Sequence, residues 1–363
     1  MNRRLDPLVI GDLEIKVPII QGGMGVRVST SSLASAVANC GAAGTIASVG
    51  LPPDTPENRS NVPKSSREHL QKEIRKAREL TKGVIGVNIM VALSNYEDIA
   101  RTTAAEDVDY IISGAGLPIS LPEYTEGSSV KLIPLLSSAR ALSLIFKTWK
   151  RRYNKIPDAV IVEGPLSGGH IGGHSLEDLK QGKLTKLENS LKEVLDVVRE
   201  QEKAHKVSIP VIAAGGIFDG KDMAKFLKLG AKGVQIGTRF IATNECSASI
   251  KYKELIVRSD KDSLVFIQSP VGMPAKVIRT KLIDDVLNGK RRAISCNYKC
   301  LRTCDPHNAL FCIAKALIDA VEGDIDNAVV FASTNVSKIK KIVPVKELIE
   351  EIVNEAAAEM AKN

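Results

Sequence analysis

Eight short apolar runs rich in β-branched residues punctuate the first two-thirds of the chain. They fall at residues 17–20, 43–46, 84–87, 110–112, 131–135, 159–162, 211–213 and 233–236. Each is followed by Gly, Ser or Asn and then by apolar positions at helical spacing. Short strands alternating with helices imply βαβ units and a parallel sheet, and eight such units are the number that closes a barrel. The expected fold class is therefore α/β, a (β/α)8 TIM barrel.

The intervening helices are legible in the same pattern. Residues 31–40 are amphipathic and stop at Gly41, a C-cap glycine. Residues 66–80, 95–106 and 139–150 repeat the pattern, and 187–203 carries Leu191, Val194, Leu195 and Val198 on one stripe. Residues 219–229 open on Asp219 as a cap and end at Gly230. Beyond the eighth strand the rhythm breaks. Pro270, Gly272, Pro274, a basic turn and a group of cysteines mark residues 245–339 as a mostly helical, loop-containing excursion that covers the barrel mouth. Residues 345–361 form a last amphipathic helix. The reading is one barrel domain, 1–244 with 340–363, and no repeat of solenoid period.

Composition narrows the function classes. The 363 residues are 44% hydrophobic and 25% charged, as in an ordinary globular protein, and can bury a large core. Aromatics make up 4%, with one Trp, too few for a platform that stacks single-stranded nucleic acid. The net charge of +8 is spread along the chain. Its densest patches, 147–152 and 290–292, read as solvated surface or as attraction for anionic ligands or an acidic carrier. No nucleic-acid motif is present. No apolar run has the length of a membrane span, and the charged stretch at residues 1–7 is not followed by a signal-type apolar segment. A reducing, cytoplasmic location with free thiols is the expectation.

In a barrel of this kind the chemistry sits where the strands end. Gln21, Gly22, Gly23, Met24 and Gly25 follow the first strand. Asn88 follows the third, and Ser113 to Gly116 the fourth. The sixth runs from Glu163 through Gly168, Gly169, His170, Gly172 and Gly173 to His174. Ala214, Gly215 and Gly216 follow the seventh, and Gly237 and Thr238 the eighth. Small residues thus gather at one rim, where backbone N–H groups can approach a large flat ligand. Gly215 and Gly216 before the helix at Asp219, together with Gln235, Ile236, Gly237 and Thr238, fit a phosphate site of backbone donors and helix dipoles. The alternative is tight strand–helix packing without a ligand. Gly22 to Gly25 lack the spacing of a dinucleotide fingerprint.

His170, set among glycines, is the candidate for proton transfer or substrate orientation; otherwise it bonds the loop backbone. His174 reads as peripheral. Cys296, Cys300, Cys304 and Cys312 are spaced C-x3-C-x3-C-x7-C. If helical, the first three share a face. The group could bind zinc or an iron–sulfur cluster, or remain as packed reduced thiols. The site is read without a metal, these four being the only candidates.

Taken in order, the segments Pro18 to Met24, Gly86 to Met90, Gly168 to His170, Ala213 to Ile217 and Gln235 to Phe240 resemble the nitronate monooxygenases, formerly 2-nitropropane dioxygenases. Residues 269–274 share the likeness. The resemblance implies a non-covalent FMN. Asn88, Glu163, Gly168, Gly169, Gly215, Gly216 and residues Gln235, Ile236, Gly237 and Thr238 would hold it, and Gly22, Gly23 and Met24 would line its face. His170 matches the family's active-site histidine. The implied reaction is oxidation of an alkyl nitronate by O2 to a carbonyl compound and nitrite. Glu163 stands where many such enzymes have Gln. It is similar in this to the flavin-dependent enoyl-acyl-carrier-protein reductases, which use NAD(P)H on enoyl thioesters; NADH:quinone reduction is a third related activity. A homodimer is compatible with this reading.

Overall fold

All eight apolar runs form strands. The computed structural model describes residues 5–362; residues 1–4 and 363, which include most of the charged N-terminal stretch, lie outside the described residues. The strands in chain order are β1 (Leu8–Ile10), β2 (Leu13–Ile15), β3 (Ile19–Gln21), β4 (Gly44–Ala47), β5 (Ile85–Met90), β6 (Tyr110–Gly114) and β7 (Lys131–Leu136). They continue as β8 (Val160–Glu163), β9 (Gly169–His170), β10 (Val211–Ala214), β11 (Gly233–Ile236), β12 (Leu264–Gln268), β13 (Pro274–Ile278) and β14 (Val330–Phe331). The parallel sheet runs β3-β11-β10-β8-β7-β6-β5-β4. A parallel bridge between Ile20 and Ala43 joins its two ends and closes the barrel.

The helices are α1 (Ser31–Asn39), α2 (Pro56–Ser60), α3 (Val62–Leu80), α4 (Tyr96–Ala105), α5 (Leu121–Tyr124), α6 (Ala139–Tyr153) and α7 (Leu176–Lys180). They continue as α8 (Leu187–His205), α9 (Gly220–Lys228), α10 (Thr238–Ile241), α11 (Ile250–Arg258), α12 (Lys281–Leu287), α13 (Ile313–Glu322) and α14 (Val345–Met360). Long helices wrap the barrel because their apolar stripes need the outer faces of the strands. Leu191, Val194 and Val198 of α8 are buried with Val160, Val162 and Val211 of β8 and β10. The last helix, α14, packs against α9 and α1 and so closes the ring.

The barrel interior is a packed core. Ile20, Tyr110, Ile112, Ile133, Ile161 and Ile212 fill it, and Leu8, Ile10 and Ile15 of the β1–β2 hairpin join the same cluster. Tyr110 accounts for one glycine: a Cβ on Gly86 would stand 2.2 Å from its ring. The buried phenol is 2.8 Å from Thr45 Oγ1 and donates to Gly44 O at 2.9 Å.

The segment after α10 holds the expected helices, α11 to α13, and an antiparallel sheet that periodicity does not announce. β13 pairs with β12 on one side and with both β14 and β9 on the other. Its own core includes Ile267, Val277, Ile283, Phe311 and Val329. β9 belongs to the loop after barrel strand β8, so this sheet is stitched directly to the barrel rim. Among the described residues no helix is long and apolar enough to cross a membrane.

Candidate active site at the barrel mouth

A cavity of about 910 Å3 opens at the carboxyl ends of the strands, within the size range of small-molecule sites. Gly22, Gly23, Met24, Asn88, Glu163, Gly168, Gly169, His170, Gly215, Gly216, Gln235, Gly237 and Thr238 all line it. Ile236 does not. Its side chain is buried in the core, and its contribution is a carbonyl that accepts from Gly22 N at 2.8 Å. The covering segment adds Val271, Met273, Phe331 and Ser333 to the wall.

The glycines are needed for space. A Cβ on Gly23 would lie 2.3 Å from Asn88 Cβ, and one on Gly168 would lie 2.6 Å from the Ala332 carbonyl carbon. Gly215 and Gly216 have φ of +92° and +90°, a region that side chains disfavour. A buried amide holds the first loop in place. Gln21 Nε2 donates to Ser29 Oγ (2.8 Å) and to Gly22 O, Gln21 Oε1 accepts from Thr45 N (3.0 Å), and Met24 N donates to Ser29 Oγ (3.0 Å).

The expected phosphate site is half as the sequence suggests. The N-terminus of α9 is already occupied by carboxylates: Asp219 Oδ1 accepts from Asp222 N (2.9 Å) and Glu355 Oε2 from Gly220 N (2.8 Å). The macrodipole there is therefore met within the protein. The turn before it and the start of α10 remain open, where Gly216 N and Thr238 N have no protein acceptor among the described residues. Asn335 Nδ2 donates to Gly216 O at 2.6 Å, and Ser333 N donates to Thr238 Oγ1 at 2.9 Å, so side chains and backbone from the far end of the cover fix both turns.

Four buried polar atoms in the cavity wall also lack hydrogen-bond partners: Ser48 Oγ, Asp54 Oδ1, Ser167 Oγ and Gln235 Oε1. Buried polar groups are rarely left unpaired, so a wall with several orphans is made for a polar ligand. Open backbone donors, orphaned acceptors and hydroxyls, and glycines that clear a flat surface together fit a flavin nucleotide.

His170 is held by the cover. Its backbone pairs with Ala275 of β13, and its ring packs edge-on against Phe331 at 5.1 Å between centroids. Nε2 is 2.8 Å from Ser269 Oγ, which also accepts from Val271 N at 3.3 Å. The hydroxyl has a proton to donate to Nε2 and a second lone pair with which to accept from it; donation by Ser269 is the arrangement that leaves the ring proton on Nδ1. Burial lowers the His170 pKa to about 4, so the ring is neutral near pH 7. His174 is peripheral, bonding Gly172 O and Thr185 N.

Glu163 lies in the wall at the end of β8. Burial raises its pKa to about 7, against the opposing charge of Lys276. Lys276 is itself buried on β13 and is lowered to about 8 by loss of water. Its ammonium donates to Pro165 O (3.0 Å) and Thr334 Oγ1 (2.7 Å). Sequence reading found Glu163 but not Lys276 or the orphaned polar groups, and it placed Ser269 in the familiar 269–274 segment without giving it a role, because no motif marks what a lone residue does across the fold. Of the cysteines, only Cys300 lines the cavity. Cys296, Cys300 and Cys304 lie outside any helix, so the shared helical face does not form.

A closed parallel barrel with a ligand-ready mouth and a fixed neutral imidazole defines the molecule as a (β/α)8 oxidoreductase. The family model for nitronate monooxygenase matches residues 6–112 and 95–355, and the chain belongs to that family. The family's members are flavoproteins. The chain is 30% identical to a (3aS,4S,5R,7aS)-5-hydroxy-7a-methyl-1-oxo-octahydro-1H-indene-4-carboxyl-CoA dehydrogenase of Mycobacterium tuberculosis, over 76% of this chain and 67% of that one. It is 29% identical to a protein of Staphylococcus saprophyticus described as "Probable nitronate monooxygenase", over 77% and 80%. The structure of FabK from Thermotoga maritima superposes with a TM-score of 0.73 at 30% identity, covering 96% of this chain and 95% of the other.

Proposed function

We propose that the chain is an FMN-dependent nitronate monooxygenase, which oxidises alkyl nitronates with O2 to a carbonyl compound and nitrite. The observation that carries this is the neutral His170 at the wall of a glycine-lined, flavin-sized cavity. A nitronate is already an anion and asks for no base. A neutral ring with its proton on Nδ1 can donate a hydrogen bond to a nitronate oxygen without first losing a proton. Gly216 N and Thr238 N would hold the FMN phosphate, Asn88, Gln235 and Ser167 the polar edge of the ring system, and Gly22, Gly23 and Met24 its face. When bound, FMN supplies the acceptance of electrons from substrate and their delivery to O2. The protein's share is orientation and exclusion of water. Residues 1–244 and 340–363 act as the catalytic domain and residues 245–339 as its cover. Purified protein given propyl nitronate in air is expected to consume O2 and release nitrite. Flavin-loaded protein that does neither overturns the reading.

A second reading, NAD(P)H-dependent reduction of an enoyl thioester or a quinone, is favoured by Glu163 and its partner Lys276. It also draws support from the likeness to a dehydrogenase named for a CoA substrate and to FabK. Bleaching of the flavin by NADH or NADPH without oxygen, faster than propyl nitronate bleaches it, would move the assignment there.

A further inference from the structure

The cavity does not stop at the groups assigned to the flavin. The two turns read above as the phosphate site follow β10 and β11. In the closed strand order β5 stands four places round the ring of eight from β10, and β6 four places from β11. The ends of β5 and β6 therefore lie across the mouth from the phosphate turns.

At that far end the cover is strapped down. Leu301 bridges Leu93, just past β5. Ser94 N donates to Cys300 O (3.0 Å), Arg302 N to Ala92 O (3.0 Å) and Arg302 Nε to Leu93 O (3.0 Å). Thr303 Oγ1 donates to Val271 O (2.7 Å), which ties the strap to the turn between β12 and β13. Tyr298 to Leu301 are thereby held as cavity wall.

The side chains offered there are apolar. Val49, Met90 and Leu117 come from the ends of β4, β5 and β6, Leu301 from the strap and Leu317 from α13, and all five line the cavity. Each is half-buried. Their backs pack into the hydrophobic clusters of the barrel wall and the cover, so that the cavity side is what remains open. An apolar surface left open on one side gains from an apolar ligand.

Charge argues against a dinucleotide in the same place. Asp54 Oδ1, without a hydrogen bond, has Arg59 Nε 3.6 Å away, and Asp98 has Arg67 Nη1 at 3.1 Å. Each arginine is matched by a carboxylate, and those carboxylates repel phosphates.

We propose that this end of the cavity takes an extended apolar arm of the substrate, and that Leu301 and Leu317 of the cover select for its length. The head group rests on the nitronate reading, which makes the substrate a long-chain nitronate rather than a short one. The arm does not react. Each CH2 that it buries fully contributes about fourfold in affinity.

Straight-chain carboxylates from butyrate to octanoate test this without turnover, because a carboxylate has the planar, two-oxygen anionic head of a nitronate. Binding to the FMN-loaded protein is read from the perturbed flavin spectrum. Affinity is expected to rise about two- to fourfold with each added CH2. A rise of less than about twofold per CH2, or no binding at all, overturns the proposal. L317N is expected to shrink the octanoate-to-butyrate affinity ratio at least about fivefold. L287N, which changes an exposed leucine of α12 outside the cavity lining, is expected to keep it. An unchanged ratio in L317N also overturns the proposal. If L317N does not fold, L301N takes its place, and if neither folds the wild-type series decides alone. A steep series in protein that leaves propyl nitronate untouched keeps the arm and removes the nitronate head group. A flat series in protein that oxidises propyl nitronate does the reverse.

Discussion

His170 is useful because its surroundings keep it neutral and keep it aimed. Ser269 reaches it from 99 positions further along the chain. S269A is expected to leave the fold intact but release the tautomer preference. Nitrogen-15 NMR of the imidazole should show a mixture in place of one Nδ1–H form, with turnover lowered roughly tenfold, the size of one lost orienting bond of about 1.4 kcal/mol. An unchanged tautomer signal would rule out the positioning role. The pH argument follows from the lowered pKa. The folded protein resists protonating His170 down to about pH 4, whereas the unfolded chain takes up the proton near 6.5. The stabilisation is complete above pH 6.5 and is lost as pH falls toward 4. H170N should therefore show a flatter acid limb than wild type in denaturation measured between pH 7.5 and 4. Glu163 has the opposite sign: its folded pKa lies above its ordinary value, so the fold is most favoured below about 4.5 and weakens up to about 7. E163Q is expected to remove a titration step near 7 from the pH–rate profile, and a step that persists would assign it elsewhere. The glycines and His170 are legible in sequence because they form contiguous runs. Ser269 and Lys276 are not, because their meaning depends on β13 lying beside β9.

At the scale of elements, β13 is the rail that sets the cover against the barrel. It reads as half of a hairpin with β12, yet its other edge holds β14 and the two-residue strand β9. Two residues inside a glycine run carry no alternating pattern, so β9 is invisible to periodicity. The eight barrel strands are visible because a strand buried on both faces needs a short unbroken apolar run, and turn residues bound each one. The closeness of the join predicts its sensitivity. A Cβ on Gly168 would meet the backbone of Ala332 and Ser333 at 2.6 and 2.7 Å, and backbone cannot rotate away as a side chain would. G168A is expected to cost about 1–3 kcal/mol of overpacking strain and to weaken FMN binding at least tenfold. Gly182 is the open-space control. Unlike Gly168 it has a positive φ, +69°, and nothing lies within 4 Å of its added Cβ. G182A should pay only for its backbone, about 1 kcal/mol, with FMN affinity unchanged, as fluorescence titration of the apoproteins will read. Equal losses of affinity in the two variants would mean that the cover is not seated through β9.

The whole molecule joins a packed barrel, which needs no ligand to hold its shape, to a mouth whose polar groups lack partners. The two parts should therefore respond differently to FMN. A ligand that binds only the folded state stabilises it by about 2.7 kcal/mol at 100 times its Kd, wherever in the structure it binds. Local protection is more informative. Hydrogen exchange should slow at residues 214–217, 237–239, 269–275 and 330–335, where turns and cover close on the site. It should change little in β5, β6 and β7 beneath, already buried on both faces. Comparison with riboflavin isolates the phosphate. Gly216 N and Thr238 N are donors with nothing else to satisfy, and charge-assisted bonds of that kind are each about twice as strong as neutral ones. FMN should then raise the Tm by several degrees more than riboflavin at equal concentration, with the added protection confined to 214–217 and 237–239. Y110F serves as the internal reference, because it removes a phenol bonded to Thr45 and Gly44 inside the barrel and touches nothing in the mouth. It should lower the stability of the flavin-free and flavin-loaded protein by the same amount. If FMN and riboflavin protect alike, the phosphate is not held at these turns, and the cavity's ligand must be sought among molecules without one.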